Sequence, residues 1–187
     1  LYSILHLAGV RKTDATGRVL QEPSVSLDDI RNFRQFASPC AGHPEFGEVA
    51  GVETTTGPLG QGIANSVGLA ASANWLAARY NRPEFELFGF RVYALCSDGD
   101  LMEGIGCEAA SLAGHWKLSN LCWIYDDNHI TIEGGTDLAF SENVAQRFAG
   151  LGWNTVEVHD ANDLEATRSA FRTFQQTEDR PTIIILG

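Results

Sequence analysis

From residue 91 onward, short apolar segments alternate with segments that have the length and composition of helices. The predicted strands cover 91–96, 121–125, 153–159 and 182–186, and the predicted helices between them cover 104–117, 141–150 and 163–177. This alternation builds βαβ units, in which the strands run parallel and the helices cover the sheet. The sequence therefore predicts an α/β fold with a doubly wound, mainly parallel sheet and helices on both faces.

The segments before this region are less regular. Residues 1–9 are predicted to be helical, and Ser26 followed by Asp29 is an N-cap pattern that begins a second helix. Residues 37–62 are rich in Gly, Pro and Thr, and residues 63–80 form a predicted helix of mostly small side chains. A loop as long as 37–62 inside a compact domain is usually either functional or disordered.

Length and composition favour a single domain that spans residues 1–187. Apolar residues make up 44% of the chain, and its net charge of −11 argues against a nucleic-acid partner. No apolar run approaches the roughly 20 residues that cross a bilayer, so no membrane partner is predicted. The four cysteines lack CxxC spacing, which favours buried thiols and a reducing, cytoplasmic location.

Two predicted strands end in polar residues that suit a metal site. Asp98 and Gly99 follow the first of these strands, and Asn128 follows the second. Ligands of open parallel sheets bind beyond the carboxyl ends of the strands, so neighbouring strands would bring Asp98 and Asn128 to one rim. Carboxylate and amide oxygens, completed by diphosphate and water, suit octahedral Mg²⁺. Gly99 has no Cβ, so its N–H can approach a phosphate closely.

The same residues have an alternative interpretation. Asp-Gly after a strand is most often a turn, and Asp-Asn is most often a cap. The dinucleotide fingerprint and the P-loop pattern are both absent from the sequence, so neither of those phosphate sites is predicted. From spacing alone, the metal site and the simple turn both remain open.

A wider set of motifs resembles the transketolase family of thiamine diphosphate enzymes. An Asp-Gly pair at 98–99 followed thirty residues later by Asn128 is similar to the family's cofactor fingerprint. The order and spacing of the other motifs match the family over nearly the whole chain. These motifs are Gly-His-Pro-Glu-Phe-Gly at 42–47, Gly-Val-Glu-Thr-Thr-Thr-Gly-Pro-Leu-Gly-Gln-Gly at 51–62, Leu-Met-Glu-Gly-Ile at 101–105, Ser-Leu-Ala-Gly-His at 111–115 and Tyr-Asp-Asp-Asn-His-Ile-Thr-Ile at 125–132.

The resemblance implies a role for each matching position. It makes Asp98, Asn128 and the carbonyl of Ile130 the ligands of Mg²⁺ or Ca²⁺, with the Gly99 N–H on the diphosphate. The remaining cofactor contacts that it implies are Gly57, Pro58 and Leu59 against the aminopyrimidine and Ile132 near the thiazolium. His43 resembles an active-site histidine that contacts sugar hydroxyls, and Glu103 a carboxylate that communicates with the partner subunit. By themselves, His43 would be an ordinary loop residue and Glu103 an acid at a helix start.

The implied activity is transfer of a two-carbon ketol unit from a ketose phosphate to an aldose phosphate, as in the pentose phosphate pathway. We expect a diphosphate- and Mg-binding domain that is truncated at both ends and lacks the pyrimidine-binding and C-terminal domains. Because the family's cofactor lies between two domains, we expect half of an active site, completed in a homodimer or by a separate chain. Sugar phosphates are the expected small-molecule partners.

The resemblance leaves alternatives open, and one departure from the family pattern supports a non-catalytic fragment. Ser97 stands where the family usually has the first Gly of Gly-Asp-Gly. The alternatives are dihydroxyacetone synthase, another thiamine diphosphate enzyme such as a deoxyxylulose-phosphate synthase, or a non-catalytic fragment that keeps the cofactor fold. The motifs at 42–47 and 57–62 favour transketolase or its formaldehyde-using relative over the deoxyxylulose-phosphate enzyme.

Overall fold

The computed structural model describes residues 1–187 and divides the chain into two compact units, Leu1–Pro58 and Leu59–Gly187. The first unit contains helix α1 (Tyr2–Leu7), a hairpin of strands β1 (Arg11–Thr13) and β2 (Val19–Pro23), and helix α2 (Leu27–Arg31). The sequence did not predict the hairpin, because its strands are short, exposed and without apolar alternation. That both units belong to a single domain stays a prediction.

The first unit has a small core and a capped second helix. Its core consists of Tyr2, Leu5, Val25, Cys40, Val49 and Val52. The predicted helix start at Ser26 is confirmed, since the Ser26 hydroxyl accepts from the Asp29 N–H and the Asp29 carboxylate accepts from the Ser26 N–H. This reciprocal pairing satisfies two donors that the helix cannot satisfy itself.

The second unit contains the predicted parallel sheet. Its elements in chain order are α3 (Gln61–Tyr80), β3 (Val92–Ser97), α4 (Asp98–Met102), α5 (Gly104–His115), β4 (Leu121–Asp126), β5 (Ile130–Thr131), β6 (Gly134–Gly135), a 3-10 turn (Thr136–Leu138), α6 (Val144–Gly150), β7 (Asn154–Val158), α7 (Leu164–Gln176) and β8 (Thr182–Leu186). Four strands pair in the order β3-β4-β8-β7, all parallel, while β5 and β6 form a separate short hairpin.

Helices cover both faces of this sheet. Along β4, Trp123 and Tyr125 pack in the core built with α3, α5 and α6, whereas Cys122 and Ile124 pack in the core built with α7. Alternate residues of a strand point to opposite faces, so a strand that is apolar throughout needs cover on both sides. The predicted α/β, doubly wound fold is confirmed, and the helix and strand boundaries move by at most three residues. None of the helices is long and apolar enough to cross a membrane.

Candidate functional site

The carboxyl ends of β3 and β4 lie side by side. Ser97, the last residue of β3, pairs in register with Asp126, the last residue of β4. Helix α4 begins at Asp98 and packs against β5, which begins at Ile130. The sheet therefore carries the predicted ligands Asp98 and Asn128 on two neighbouring strand ends, as the sequence predicted.

Asp98 is buried, with only 1% of its surface exposed. Its Oδ1 accepts a hydrogen bond of 2.5 Å from the Tyr125 hydroxyl, whereas its Oδ2 is buried without any partner. The side chain borders a cavity of about 360 Å³ that Asp127, His129 and Thr136 also line. A buried carboxylate oxygen with no donor is costly, and buried charges of this kind are paired with an opposite charge or coordinate a metal.

Asn128 has different surroundings, because its side chain is exposed. Its Nδ2 donates to Asp126 Oδ2 over 2.9 Å, and its Oδ1 accepts from the Ile130 N–H over 3.0 Å. His129 follows with a positive φ of 57°, so this segment turns sharply after β4. Asn128 borders a second cavity, of about 460 Å³, rather than the one beside Asp98. The structure places the two predicted ligands on adjacent strand ends without bringing both into one cavity.

The β5–β6 hairpin carries the two predicted isoleucines. Ile130 is 59% exposed and pairs with Gly135 across the hairpin. Ile132 lies at the hairpin tip and is 95% exposed, so its predicted thiazolium contact would come from an unburied apolar side chain. Neither side chain is packed in a core, which leaves the Ile132 side chain free for an apolar contact with a ligand.

The donor set suits a hard cation. Asp98, Asn128 and a backbone carbonyl would supply only oxygens, the ligands that Mg²⁺ and Ca²⁺ take in proteins. The chain contains no cluster of three or more His, Cys, Asp or Glu side chains placed to hold a metal. The unpartnered Oδ2 of Asp98 fits the predicted cation, and the other ligands would come from the turn after β4 and from the bound group.

Asp100 fixes the backbone beside Asp98. One carboxylate oxygen accepts from the Ser97 N–H over 3.0 Å and the other from the Gly60 N–H over 2.8 Å. Sequence reasoning missed this residue, although an acid three residues after a serine is the pattern that it recognised at Ser26. Ser97 itself has an extended φ of −133°, a conformation that any residue adopts, so serine in place of glycine causes no backbone strain here.

The loop residues next to α3 approach this strand end closely. Gly60 has a φ of +76°, and a Cβ there would lie 2.8 Å from the Cβ of Glu103. A Cβ on Gly99 would lie 3.0 Å from a methyl carbon of Leu59, so the predicted cofactor residues Leu59 and Gly99 are in contact. Glu103 is exposed and precedes α5, and its carboxylate forms no hydrogen bond. Its predicted role toward a partner subunit stays a prediction.

In the first unit, His43 and Gly57 lie against each other. A Cβ on Gly57, which has a φ of +135°, would lie 2.5 Å from Cγ of the His43 ring. The Thr56 N–H donates to the Pro44 carbonyl and ties the two loop segments together. Pro58 and His43 are both exposed. Three predicted site residues of this unit therefore belong to one exposed loop cluster.

Tyr125 is a second residue at the strand ends that sequence reasoning missed. Its hydroxyl oxygen lies 2.5 Å from Asp98 Oδ1 and 2.9 Å from Asp127 Oδ1. Burial, followed by the hydrogen bonds to these two carboxylates, raises the pKa of Tyr125 far above its usual range. The hydroxyl therefore stays protonated and acts as a donor. No local sequence pattern marks this residue, because its partner Asp98 is 27 positions away.

Comparison with known proteins shows which family the chain resembles. Residues 1–187 match the family described as "Transketolase, thiamine diphosphate binding domain". The chain is 50% identical over 184 residues to a transketolase of Geobacillus stearothermophilus, which covers 98% of the chain and 26% of that relative. It is 48% identical over 185 residues to a chloroplastic transketolase of Arabidopsis thaliana, covering 98% of the chain and 23% of that relative.

Solved structures agree with the sequence comparison. A transketolase from Leishmania mexicana superimposes with a TM-score of 0.86 at 42% identity, covering 99% of the chain and 26% of that protein. A transketolase from Pichia stipitis in complex with sedoheptulose 7-phosphate gives a TM-score of 0.82 at 45% identity, covering 87% of the chain and 24% of that protein. The chain thus spans about a quarter of the length of these relatives. It belongs to the transketolase family, in the thiamine diphosphate binding domain.

Proposed function

We propose that this chain forms the part of a transketolase that binds Mg²⁺ and the diphosphate of thiamine diphosphate. The observation that carries the proposal is the buried Oδ2 of Asp98, which has no partner and belongs to a side chain that borders a cavity at the carboxyl ends of the parallel strands. Such a rim is where open α/β sheets bind their ligands. The Asn128 amide oxygen and the Ile130 carbonyl would complete the protein's share of the metal ligands.

Other residues of the chain would bind the cofactor around this metal. The Gly99 N–H would hold a diphosphate oxygen, and the Leu59 side chain beside it would contact the aminopyrimidine together with Gly57 and Pro58. Ile132 would supply an apolar contact to the thiazolium. When bound, thiamine diphosphate supplies a nucleophilic carbon and an electron sink for cleaving the bond next to a ketone. His43 would orient the sugar through its hydroxyls, since positioning is a large part of such catalysis.

The complete reaction would be transfer of a two-carbon ketol unit from a ketose phosphate to an aldose phosphate, a step of the pentose phosphate pathway. Sugar phosphates as substrates are supported by the Pichia stipitis relative, which was solved with sedoheptulose 7-phosphate bound. We propose a homodimer, or a separate chain, as the source of the pyrimidine-binding half of the site, with Glu103 facing that partner. Four cysteines without disulfides are in keeping with a cytoplasmic location.

Calorimetry tests the cofactor assignment. Thiamine diphosphate is titrated into the chain with Mg²⁺ and, separately, with excess EDTA. We expect saturable binding that requires the metal and falls at least about 100-fold in Asp98→Asn, which removes the only carboxylate ligand. Asp179→Asn is the matched control, because Asp179 is an exposed carboxylate paired with Arg180 and the charge change is the same. Equal affinity in wild type and Asp98→Asn would contradict the assignment.

A second measurement tests whether this chain supplies only half of an active site. We expect the purified 187-residue chain to bind thiamine diphosphate weakly and to show no ketol transfer with a ketose phosphate donor. Activity is expected only when a pyrimidine-binding domain is supplied with it. Measurable turnover by the pure chain would contradict the half-site, and metal-independent binding would favour a non-catalytic fragment.

A further inference from the structure

We propose that Tyr125 is a positioning residue for the metal site: its hydroxyl holds one oxygen of the Asp98 carboxylate and thereby leaves the other oxygen directed to the cation. This inference rests on the proposed function, since it assigns a role to Tyr125 only if Asp98 binds a metal. It concerns a residue that does not itself contact the metal.

The sheet fixes the place of the Tyr125 hydroxyl. Tyr125 is 1% exposed and lies on β4, where it pairs in register with Cys96 of β3 on one side and Ile185 of β8 on the other. A residue held by ladders on both sides cannot shift without breaking strand pairing. Its ring belongs to the larger core, so the hydroxyl projects from a rigid base.

The hydrogen bond from Tyr125 is the one that the Asp98 side chain receives. A hydroxyl carries a single proton, and two carboxylate oxygens are within reach, Asp98 Oδ1 at 2.5 Å and Asp127 Oδ1 at 2.9 Å. The shorter distance assigns the proton to Asp98, since hydrogen bonds from a hydroxyl to a carboxylate are typically about 2.5–2.7 Å long. The same Asp127 oxygen also lies 3.3 Å from the Nδ1 of His129.

Because of this contact, the two oxygens of the Asp98 carboxylate have different surroundings. Oδ1 is occupied by the hydroxyl, whereas Oδ2 is buried with no protein donor, and Asp98 forms no ion pair with Lys, Arg or His. A carboxylate held in this way can bind a cation through one defined oxygen. Without the hydroxyl, the Asp98 side chain would be free to rotate. Metal binding would then have to order this side chain, which would lower the metal affinity.

Removing the hydroxyl tests the proposal. The probe is Mn²⁺ alone, titrated into the full chain and followed by electron paramagnetic resonance of the free ion. We expect Tyr125→Phe to weaken Mn²⁺ binding about 10- to 100-fold, the range typical of residues that orient a metal ligand. Tyr93→Phe is the matched control, because Tyr93 lies on neighbouring β3, is 45% exposed and packs only through its ring. Its affinity should match the wild type.

The outcomes separate this inference from the proposed function. Wild-type affinity in Tyr125→Phe together with lost binding in Asp98→Asn would overturn the positioning role and leave the metal site standing. Retained binding in Asp98→Asn would overturn the proposed metal site itself. So would the absence of saturable Mn²⁺ binding by the wild type when inorganic diphosphate is present to supply the ligands of the bound group.

A measurement on the wild type covers the case in which Tyr125→Phe does not fold. A hydroxyl proton in a short, buried hydrogen bond exchanges slowly and gives a downfield proton resonance. We expect such a resonance in the folded chain, altered in Asp98→Asn and shifted by diamagnetic Mg²⁺. The proposal would be overturned if the folded chain lacked this resonance, or if the resonance responded neither to Asp98→Asn nor to Mg²⁺.

Discussion

The two strand ends that carry the predicted metal ligands are built in different ways. At the end of β3, Asp98 is buried, and its carboxylate is held by a hydroxyl from another strand. At the end of β4, Asn128 is exposed and bonds only to Asp126 and Ile130, its near neighbours in sequence. One ligand depends on the packing of the sheet, and the other on a local turn.

The difference has an energetic consequence. The β3 end contains an unpartnered buried carboxylate oxygen, which costs stability as long as nothing compensates its charge. The β4 end contains no comparable buried polar atom, so the exposed Asn128 amide stays hydrated at little cost in stability. In the proposed metal site, the β3 end would therefore set most of the affinity, because binding would relieve a cost that the free chain carries there.

The largest expected effect is a gain in stability at the β3 end. Asp98→Asn should make the metal-free chain more stable by about 1–3 kcal/mol, because the substitution removes an uncompensated buried charge and keeps an acceptor for Tyr125. Urea denaturation in EDTA measures this change. A loss of stability in Asp98→Asn would mean that the carboxylate is already well solvated, and the contrast between the strand ends would then fail.

A loss of stability of intermediate size is expected at Asp100, two residues after Asp98. Asp100→Ala should destabilise the chain by about 1–2 kcal/mol, because the Ser97 and Gly60 N–H groups lose their shared acceptor. Asp100→Asn serves as the control, since its one oxygen can still accept from one of these donors, and about half of the loss should return. Equal stability of Asp100→Ala and the wild type in the same urea assay would show that water replaces the carboxylate.

The smallest expected effect is at the β4 end. Asn128→Ala should change stability by less than about 0.5 kcal/mol, because its hydrogen bonds are exposed and local. It should weaken Mn²⁺ binding about 10-fold, less than Asp98→Asn, because the lost ligand is neutral. Asp126→Asn should leave both quantities near the wild type. If Asn128→Ala lost as much metal affinity as Asp98→Asn, both ends would contribute equally.

Much of the fold followed from local patterns. The four strands of the parallel sheet were predicted to within about a residue, because each is a short apolar run between helical segments. The short elements were missed for a physical reason. Helix α4 has only five residues and begins Asp-Gly, which reads as a turn, and the β1–β2 hairpin has no apolar face.

The candidate site shows the same distinction between features that follow from local sequence patterns and features that do not. The positions of Asp98, Gly99 and Asn128 after two strands were readable from the sequence, and the register of Ser97 with Asp126 confirms that those strands are neighbours. The pairing of Ser97 with Asp100 was readable as a cap pattern but was missed. The Asp100 contact to Gly60 and the Tyr125 contact to Asp98 were not readable, because they span 40 and 27 positions. The metal and cofactor roles themselves stay predictions.

The sequence by itself determined which residues stand at the ends of the parallel strands, since hydrophobic period and strand length are local properties of the chain. Only the tertiary structure decided which oxygen of Asp98 is free, because that depends on a Tyr125 hydroxyl placed by strand pairing. Burial and hydrogen bonding are set by the packing of distant segments. A buried carboxylate with one oxygen left without a donor is a candidate cation ligand, because packing has removed the water that would otherwise solvate its charge.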